Sequence, residues 1–198
     1  MTADHGAISP ATLAAARRGD ETAWRQLVDA LYPLVAGIIR NHLRRDADRE
    51  DVAQEVFVKL FANLGQFSGP QPFEHWVSRI TLNCCHDWLR RMAARPMISY
   101  SDLADQEREI LDRTLADESS SPDGPPGLIH DLLERLIATL SPREQIVIRL
   151  LDLEENTVEQ VRSLTGWGAS KIKVTAMRAR RKLADQLKLL ETSPSSPP

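Results

Sequence analysis

The sequence predicts an all-α chain: two small helical domains joined by an acidic linker. Three observations carry this. Leu, Ala, Arg, Glu and Asp dominate, the aromatic share is only 5%, and no stretch alternates apolar and polar residues as a half-buried strand would. Apolar residues instead recur at helical spacing in several stretches bounded by capping residues. Charge is also unevenly placed. Residues 96–127 hold eight acids and two bases, so a chain of net charge −3 splits into an acidic segment of −6 and a remainder of +3.

In chain order, residues 1–9 read as loose. Pro10 suits the first turn of a short helix through Arg18, ended by Gly19-Asp20. Asp20 can cap the next helix, which runs to about Leu43 with Trp24, Leu27, Val28, Leu31, Val35, Ile38 and Ile39 on its core stripe. Pro33 inside it predicts a kink or a break near Leu31. After a polar joint at 44–48, a third helix spans about Arg49 to Leu64. It turns Val52, Val56, Leu60 and Leu64 inward, with Phe57 and Phe61 beside them, and leaves Asp51, Gln54, Glu55 and Lys59 outside. Gly65 to Pro72 reads as a loop. A fourth helix follows from about Phe73 to Ala94, with Phe73, Trp76, Val77, Ile80, Cys84 and Trp88 on its apolar face and a basic end at Arg90, Arg91 and Arg95. These elements make up the first domain, 1–95.

Residues 96–127 lack a sustained apolar period and carry Ser119-Ser120-Ser121 with Pro122, Pro125 and Pro126, the composition of a linker. A weak helical turn near Leu103 to Leu115 is compatible with it. The second domain, 128–190, opens with a helix bearing Leu132, Leu133, Leu136, Ile137 and Leu140. Ser141-Pro142-Arg143-Glu144 then starts another helix, with a cap, a proline at the first position and an acid at the third. It buries Ile146, Val147, Leu150 and Leu151 and closes near Asn156. The tail from Glu191 to Pro198 is Ser/Pro-rich and is expected to be disordered.

The stretch from Thr157 to Leu183 carries the chemistry. Thr157 and Gln160 have capping-box spacing for a short helix, and Gly166 and Gly168 mark a turn. A longer helix then sets Ile172, Ala176, Ala179 and Leu183 on one stripe, with Lys171, Thr175, Arg178 and Lys182 on its neighbour. From Lys171 to Lys182 there are six bases and no acid. A basic run is also what a plain solvated face looks like. The short preceding helix, the placed glycines and small Ala179 between arginines favour a helix-turn-helix, whose second helix enters the DNA major groove.

Other chemistries find little support. No apolar run approaches the ~20 residues of a membrane span. MTADHGAISP has neither a basic nor an apolar leader region, so no secretory signal is expected. Cys84 and Cys85 are adjacent, outside any CxxC or Cys/His spacing, and read as reduced thiols of a cytoplasmic protein. The five histidines are scattered and suggest no ligand set. No glycine-rich phosphate loop, metal constellation or nucleophile motif is visible, so neither an enzyme nor a cofactor is expected.

With these residues in view, the chain resembles the bacterial sigma factors of RNA polymerase, in the short extracytoplasmic-function group of the sigma-70 superfamily. In the first domain the resemblance rests on Ala16-Arg-Arg-Gly-Asp20, on the stretch from Asp51 to Lys59, on Phe67, and on Phe73-Glu-His-Trp76 with Ile80, Asn83, Asp87 and Arg90. In the second it rests on Leu140-Ser-Pro-Arg-Glu144, Gly166, Ile172-Lys173 and Arg178-Ala-Arg180 with Leu183. Each piece is weak alone; both sets in this order are specific.

The resemblance implies that the helix carrying Asp51, Gln54, Glu55, Val58 and Lys59 docks on core RNA polymerase, where acids would meet arginines of the clamp. An ordinary solvated face reads the same way. It implies that the loop and fourth helix recognise and open the promoter −10 element through Phe67, Ser68, Arg79, Asn83, Arg90 and Arg91, which offer stacking, hydrogen-bonding and phosphate contacts. Phe73 and Trp76 read as core, and Trp88 as core or DNA contact. It implies that Ser170, Lys171, Lys173, Val174, Thr175, Arg178 and Arg181 face the −35 duplex, with Arg180, Arg181 and Lys182 on phosphates. The acidic tether fits the family's segment in the RNA channel, or a merely soluble linker. An anti-sigma factor is a frequent partner in the family. Arg162 departs from the family pattern where a small alanine commonly packs, and Thr165-Gly-Trp-Gly168 replaces a more usual turn. The leading expectation is a cytoplasmic, non-enzymatic initiation factor. The alternative is a stand-alone helix-turn-helix regulator that binds its operator without polymerase.

Overall fold

A computed structural model of the chain describes residues 8–44, 46–68, 72–94 and 126–192, and all regular structure among them is helical. The part of the expected loop at 69–71, most of the acidic linker, the turn near 103–115 and the final residues 193–198 lie outside the described residues.

Helix α1 (Pro10–Arg17) is capped by Ser9, whose hydroxyl accepts from the Thr12 amide at 3.0 Å. Asp20 caps α2 (Glu21–His42) in the same way, accepting from the Ala23 amide at 2.8 Å. The break expected near Leu31 does not occur: α2 runs through Pro33. Pro33 and its neighbour Tyr32 lie on the exposed face, where the carbonyl deprived of its amide partner can turn to water. Helix α3 (Asp46–Asn63) starts three residues earlier than expected and ends in a 3-10 turn, Leu64–Gln66. Helix α4 spans Phe73–Ala94.

These four helices enclose one core of Leu27, Leu31, Val35, Ile39, Val52, Val56, Leu60, Val77, Cys84, Cys85 and Trp88. Trp88 therefore belongs to the core. Phe61 does not: it is 62% exposed, with only an edge-on contact to Trp24 at 5.1 Å.

Helix α5 (Pro126–Ala138) begins two residues before the expected start, and Leu132, expected inward, is 43% exposed. Helix α6 (Pro142–Ile148) has the capping box read from the sequence: the Ser141 amide donates to Glu144 at 2.9 Å. It continues as a π-helical turn, Arg149–Leu153, which no sequence pattern announced. Helices α7 (Val158–Thr165) and α8 (Ala169–Thr192) complete the chain, α8 running two residues into the stretch expected to be disordered.

Burial of Ile146, Val147, Leu150, Val161, Ile172 and Ala176 holds α6, α7 and α8 together, and Ile137, Leu140, Ile148 and Ala179 seat α5 on them. The core of α6–α8 also takes in Leu82 of α4, with Ile38 and Leu89 packed against it. The two helical groups thus meet across an apolar seam between α2/α4 and α6/α7.

Candidate nucleic-acid interface

The helix-turn-helix is built as its local chemistry requires. The Thr157 hydroxyl accepts from the Gln160 amide at 3.2 Å, and the Gln160 side chain accepts from the Thr157 amide at 2.7 Å. Gly166 closes α7 at φ +74, a conformation that side chains with a Cβ rarely adopt. Ile172, Ala176 and Ala179 are buried, so the next helical face points outward. That face shows Lys171, Lys173, Val174 and Arg178, all exposed, with Ser170 and Arg181 exposed and Thr175 half-buried. Among the described residues Lys171, Lys173, Arg178 and Arg181 have no ion-pair partner.

Two other bases of this helix are engaged within the fold. Arg180 makes a bidentate pair with Asp152, at 3.0 and 2.5 Å. Lys182 donates to Glu144 at 2.8 Å. The sequence grouped Arg180 and Lys182 with Arg181 as phosphate contacts. The structure separates them, because the π turn brings Asp152 beneath Arg180. Arg162, an odd residue by family pattern, is exposed and pairs with Glu159 at 2.6 Å, so it does not intrude between α7 and α8. Trp167, the other departure, lies against α4: its ring is 5.8 Å from His86, and the Arg143 guanidinium stands 5.2 Å over it.

On the other helical group, α3 presents Asp51, Gln54 and Val58 outward, with Val58 68% exposed. Exposed Tyr32 stacks on Phe57 at 6.5 Å. Together with Phe61 these make an apolar strip beside the acids, which polarity patterning had placed inside or left out. Glu55 is half-buried and held by Lys59 at 2.8 Å and Arg91 at 2.9 Å. Burial pushes its carboxyl up, but the hydrogen bonds from Lys59 and Arg91 outweigh this and hold it below its ordinary value. Arg91 is thereby tied to Glu55 of α3 rather than standing alone on α4.

Phe67 sits in an aromatic cluster, 4.9 Å from Phe73 and 5.6 Å from Trp76, with Arg17 donating to its carbonyl oxygen. Ser68 is exposed. Asn83 is exposed on α4 at the rim of a hollow of about 400 Å³, lined also by Gln66, Trp76, Ile80 and Asp87. Trp76, expected wholly in the core, thus offers part of its ring to this hollow. Arg90 is exposed beside Asp87, at 3.6 Å. Arg79, also in the sequence-predicted set, is engaged within the fold like Arg91. It is half-buried, donates to the Ser163 carbonyl at 3.1 Å and lies under Gly166. His75 meets the Ser163 hydroxyl at 3.2 Å. The helix-turn-helix therefore covers part of the α4 face that the sequence assigned to DNA.

No group of residues among those described could hold a metal ion. No described helix is long and apolar enough to cross a membrane.

Residues 27–95 match the family model for sigma-70 region 2. Over 174 residues the chain is 29% identical to a probable RNA polymerase sigma factor RfaY of Xanthomonas campestris, covering 87% of this chain and 42% of that protein. Over 179 residues it is 25% identical to the ECF RNA polymerase sigma-E factor of Haemophilus influenzae, covering 88% of this chain and 92% of that one. The chain thus spans less than half of the first relative and nearly all of the second. Among solved structures, CnrH in complex with the cytosolic domain of CnrY shares the fold, with a TM-score of 0.54 at 22% identity over 92% of this chain and 98% of that one.

Proposed function

We propose that the chain is an RNA polymerase sigma factor of the sigma-70 family, in its extracytoplasmic-function group, whose surfaces divide the work of promoter-directed initiation. It binds core RNA polymerase and directs it to promoters. The outward face of α3, with Asp51, Gln54 and Val58 beside exposed Phe61 and Tyr32, is the polymerase-binding surface. An apolar strip rimmed by acids suits a partner helix that carries arginines. Glu55 and Lys59 pair with each other and shape that face.

The α4 hollow is where an unstacked base of the −10 element is held, with the Trp76 ring as a stacking surface and Asn83 as an edge reader. Phe67, Ser68, Arg90 and Arg91 serve the melted strand, and Arg79 joins them once the helix-turn-helix no longer covers it. The exposed face of α8 reads the −35 duplex through Ser170, Lys171, Lys173, Val174, Thr175 and Arg178, with Arg181 on phosphate. Residues 1–95 and 128–190 act as separate promoter modules, with 96–127 as their tether. The work is binding, without a catalytic step, and takes place in the cytoplasm. An anti-sigma factor is a fitting regulator.

The observation that supports this reading most is the sorting of cations on α8. Those facing outward are unpaired, while Arg180 and Lys182 are consumed internally. The test mixes the full chain with a duplex carrying both promoter elements, with and without core polymerase. Specific binding and strand opening only in the presence of polymerase are expected. Tight specific binding by the chain alone would favour the stand-alone regulator.

A further inference from the structure

Three of the chain's five histidines are packed into the seam between the two helical groups, and a fourth, His130 of α5, stands exposed at its edge. His42, at the end of α2, is 2% exposed. His75, in the first turn of α4, and His86, past its middle, meet Ser163 and Trp167 across the seam. His42 has no hydrogen-bond partner at either ring nitrogen. It lines a cavity of about 280 Å³ between the groups, together with Glu134 of α5 and Gln145 and Arg149 of α6 and its π turn.

The charges around His42 decide what a proton there would meet. From the π turn comes Arg149, and just beyond it Glu154, whose carboxylate stands 3.8 Å from Nε2, near enough to pair with a protonated ring but making no hydrogen bond to it. From α5 comes Glu134, but both its oxygens are taken by Arg149, at 2.7 and 2.6 Å. Asp48 of α3 lines the same cavity, and Asp131 of α5 faces Arg44 at 3.5 Å. His86 faces Trp167 and Arg143 across the seam, and Asp87 and Arg90 on its own helix.

We propose that separation of the two helical groups is coupled to proton uptake at His42 and His86, so that acidification loosens the seam and releases the covered face of α4. Burial, and then the Arg149 charge, push the closed-state pKa of His42 down to about 3. Burial and Arg143 lower that of His86. Once the seam opens, both rings meet water and regain the ordinary value near 6.5. Because the closed-state values are depressed, the closed arrangement keeps its full advantage above about pH 6.5 and loses it as pH falls below that. For His42 alone the opening constant rises about tenfold between pH 7.5 and 5.5, the ratio set by a site of pKa ~6.5 that is uncharged when closed. Glu134, held low by Arg149, stays ionised over that range. The coupling does not depend on the promoter assignments, since its readout lies within the chain.

The test is native-state hydrogen exchange of the full chain, with rates normalised to the intrinsic rate at each pH. Helix α7 reports on the seam, and the C-terminal half of α3, from Val56 to Asn63 and away from Asp48, serves as the internal reference. Between pH 7.5 and 5.5 the protection of α7 should fall at least tenfold relative to α3. A His42→Gln/His86→Gln double variant should show no such fall. His42→Leu, which takes up no proton at that position, should keep only the His86 part, and circular dichroism reports whether each variant is folded. A constant ratio in the wild-type chain, or an undiminished fall in the double variant, would overturn the proposal.

Discussion

The guanidinium of Arg79 lies 3.4 Å from where a Cβ on Gly166 would stand, and it donates to the Ser163 carbonyl at 3.1 Å. A side chain of one helical group thus rests on the bare turn of the other. Gly166 serves two ends there, since its φ of +74 also closes α7. Gly166→Ala should destabilise the chain by about 1–2 kcal/mol, the cost of a Cβ in the left-handed region. Gly166→Asn, which tolerates that region better, should cost less. Thermal unfolding of the two variants decides this.

Cations on α8 should divide by partner. Lys173→Ala and Arg178→Ala should each weaken binding of the polymerase holoenzyme to a −35 duplex and reduce the slope of log affinity against log salt by about 1. Arg180→Ala and Lys182→Ala should leave that slope nearly unchanged, because Asp152 and Glu144 already hold those side chains. Their stability cost should stay below about 1 kcal/mol, as for partly exposed ion pairs. Salt titrations by fluorescence anisotropy separate the two pairs.

On α3, Val58 is 68% exposed and carries no internal packing duty. Val58→Asp should therefore leave thermal stability unchanged while weakening association with core polymerase by tenfold or more, as loss of an apolar anchor does. Charge reversal at Asp51 should slow association more than it speeds dissociation. Surface plasmon resonance against immobilised core enzyme reads both.

Arg149 and Glu134 form a bidentate pair in which both side chains are about 8% exposed. Removing one partner strands a buried charge, so Arg149→Ala should cost about 3–5 kcal/mol. Replacing both, as Arg149→Met with Glu134→Leu, should recover most of it. The Arg149 hydrogen bonds hold the Glu134 carboxyl below its ordinary value, against its burial. Its stabilisation is therefore complete above the unfolded carboxylate range and is lost as pH falls through the depressed folded value. Denaturant unfolding between pH 3 and 7 should show that acid limb in the wild type and a flatter profile in the double variant.

Cys84 and Cys85 are both buried, and burial pushes both thiols up. Neither should react with iodoacetamide in the folded chain at pH 8, and both should react once it is unfolded. Mass spectrometry of the alkylated protein checks this.

The helices themselves were legible in the sequence because their signals are local. Asp20, Ser141 and Thr157 each cap the helix they were expected to cap, and apolar residues at helical spacing define which face of α2, α3 and α8 is buried. Local signals also misled. Pro33 removes one amide, but the packing of Leu31 and Val35 on either side keeps α2 continuous. Phe61 and Leu132 are apolar at core-like spacing yet stand exposed, because spacing assigns a residue to a face and cannot say where the neighbouring helix ends.

What the sequence by itself determined was the helical class, the helix-turn-helix with its glycine cap, and the set of basic residues available to meet nucleic acid. These depend on backbone capping, periodicity and charge, all written within a few residues of one another. Tertiary structure alone decided which bases remain unpaired, that Arg79 lies under Gly166, and that His42 is sealed without a hydrogen-bond partner between the two helical groups. Each of those facts joins residues tens of positions apart, and only the way the helices pack brings such groups within a few ångströms.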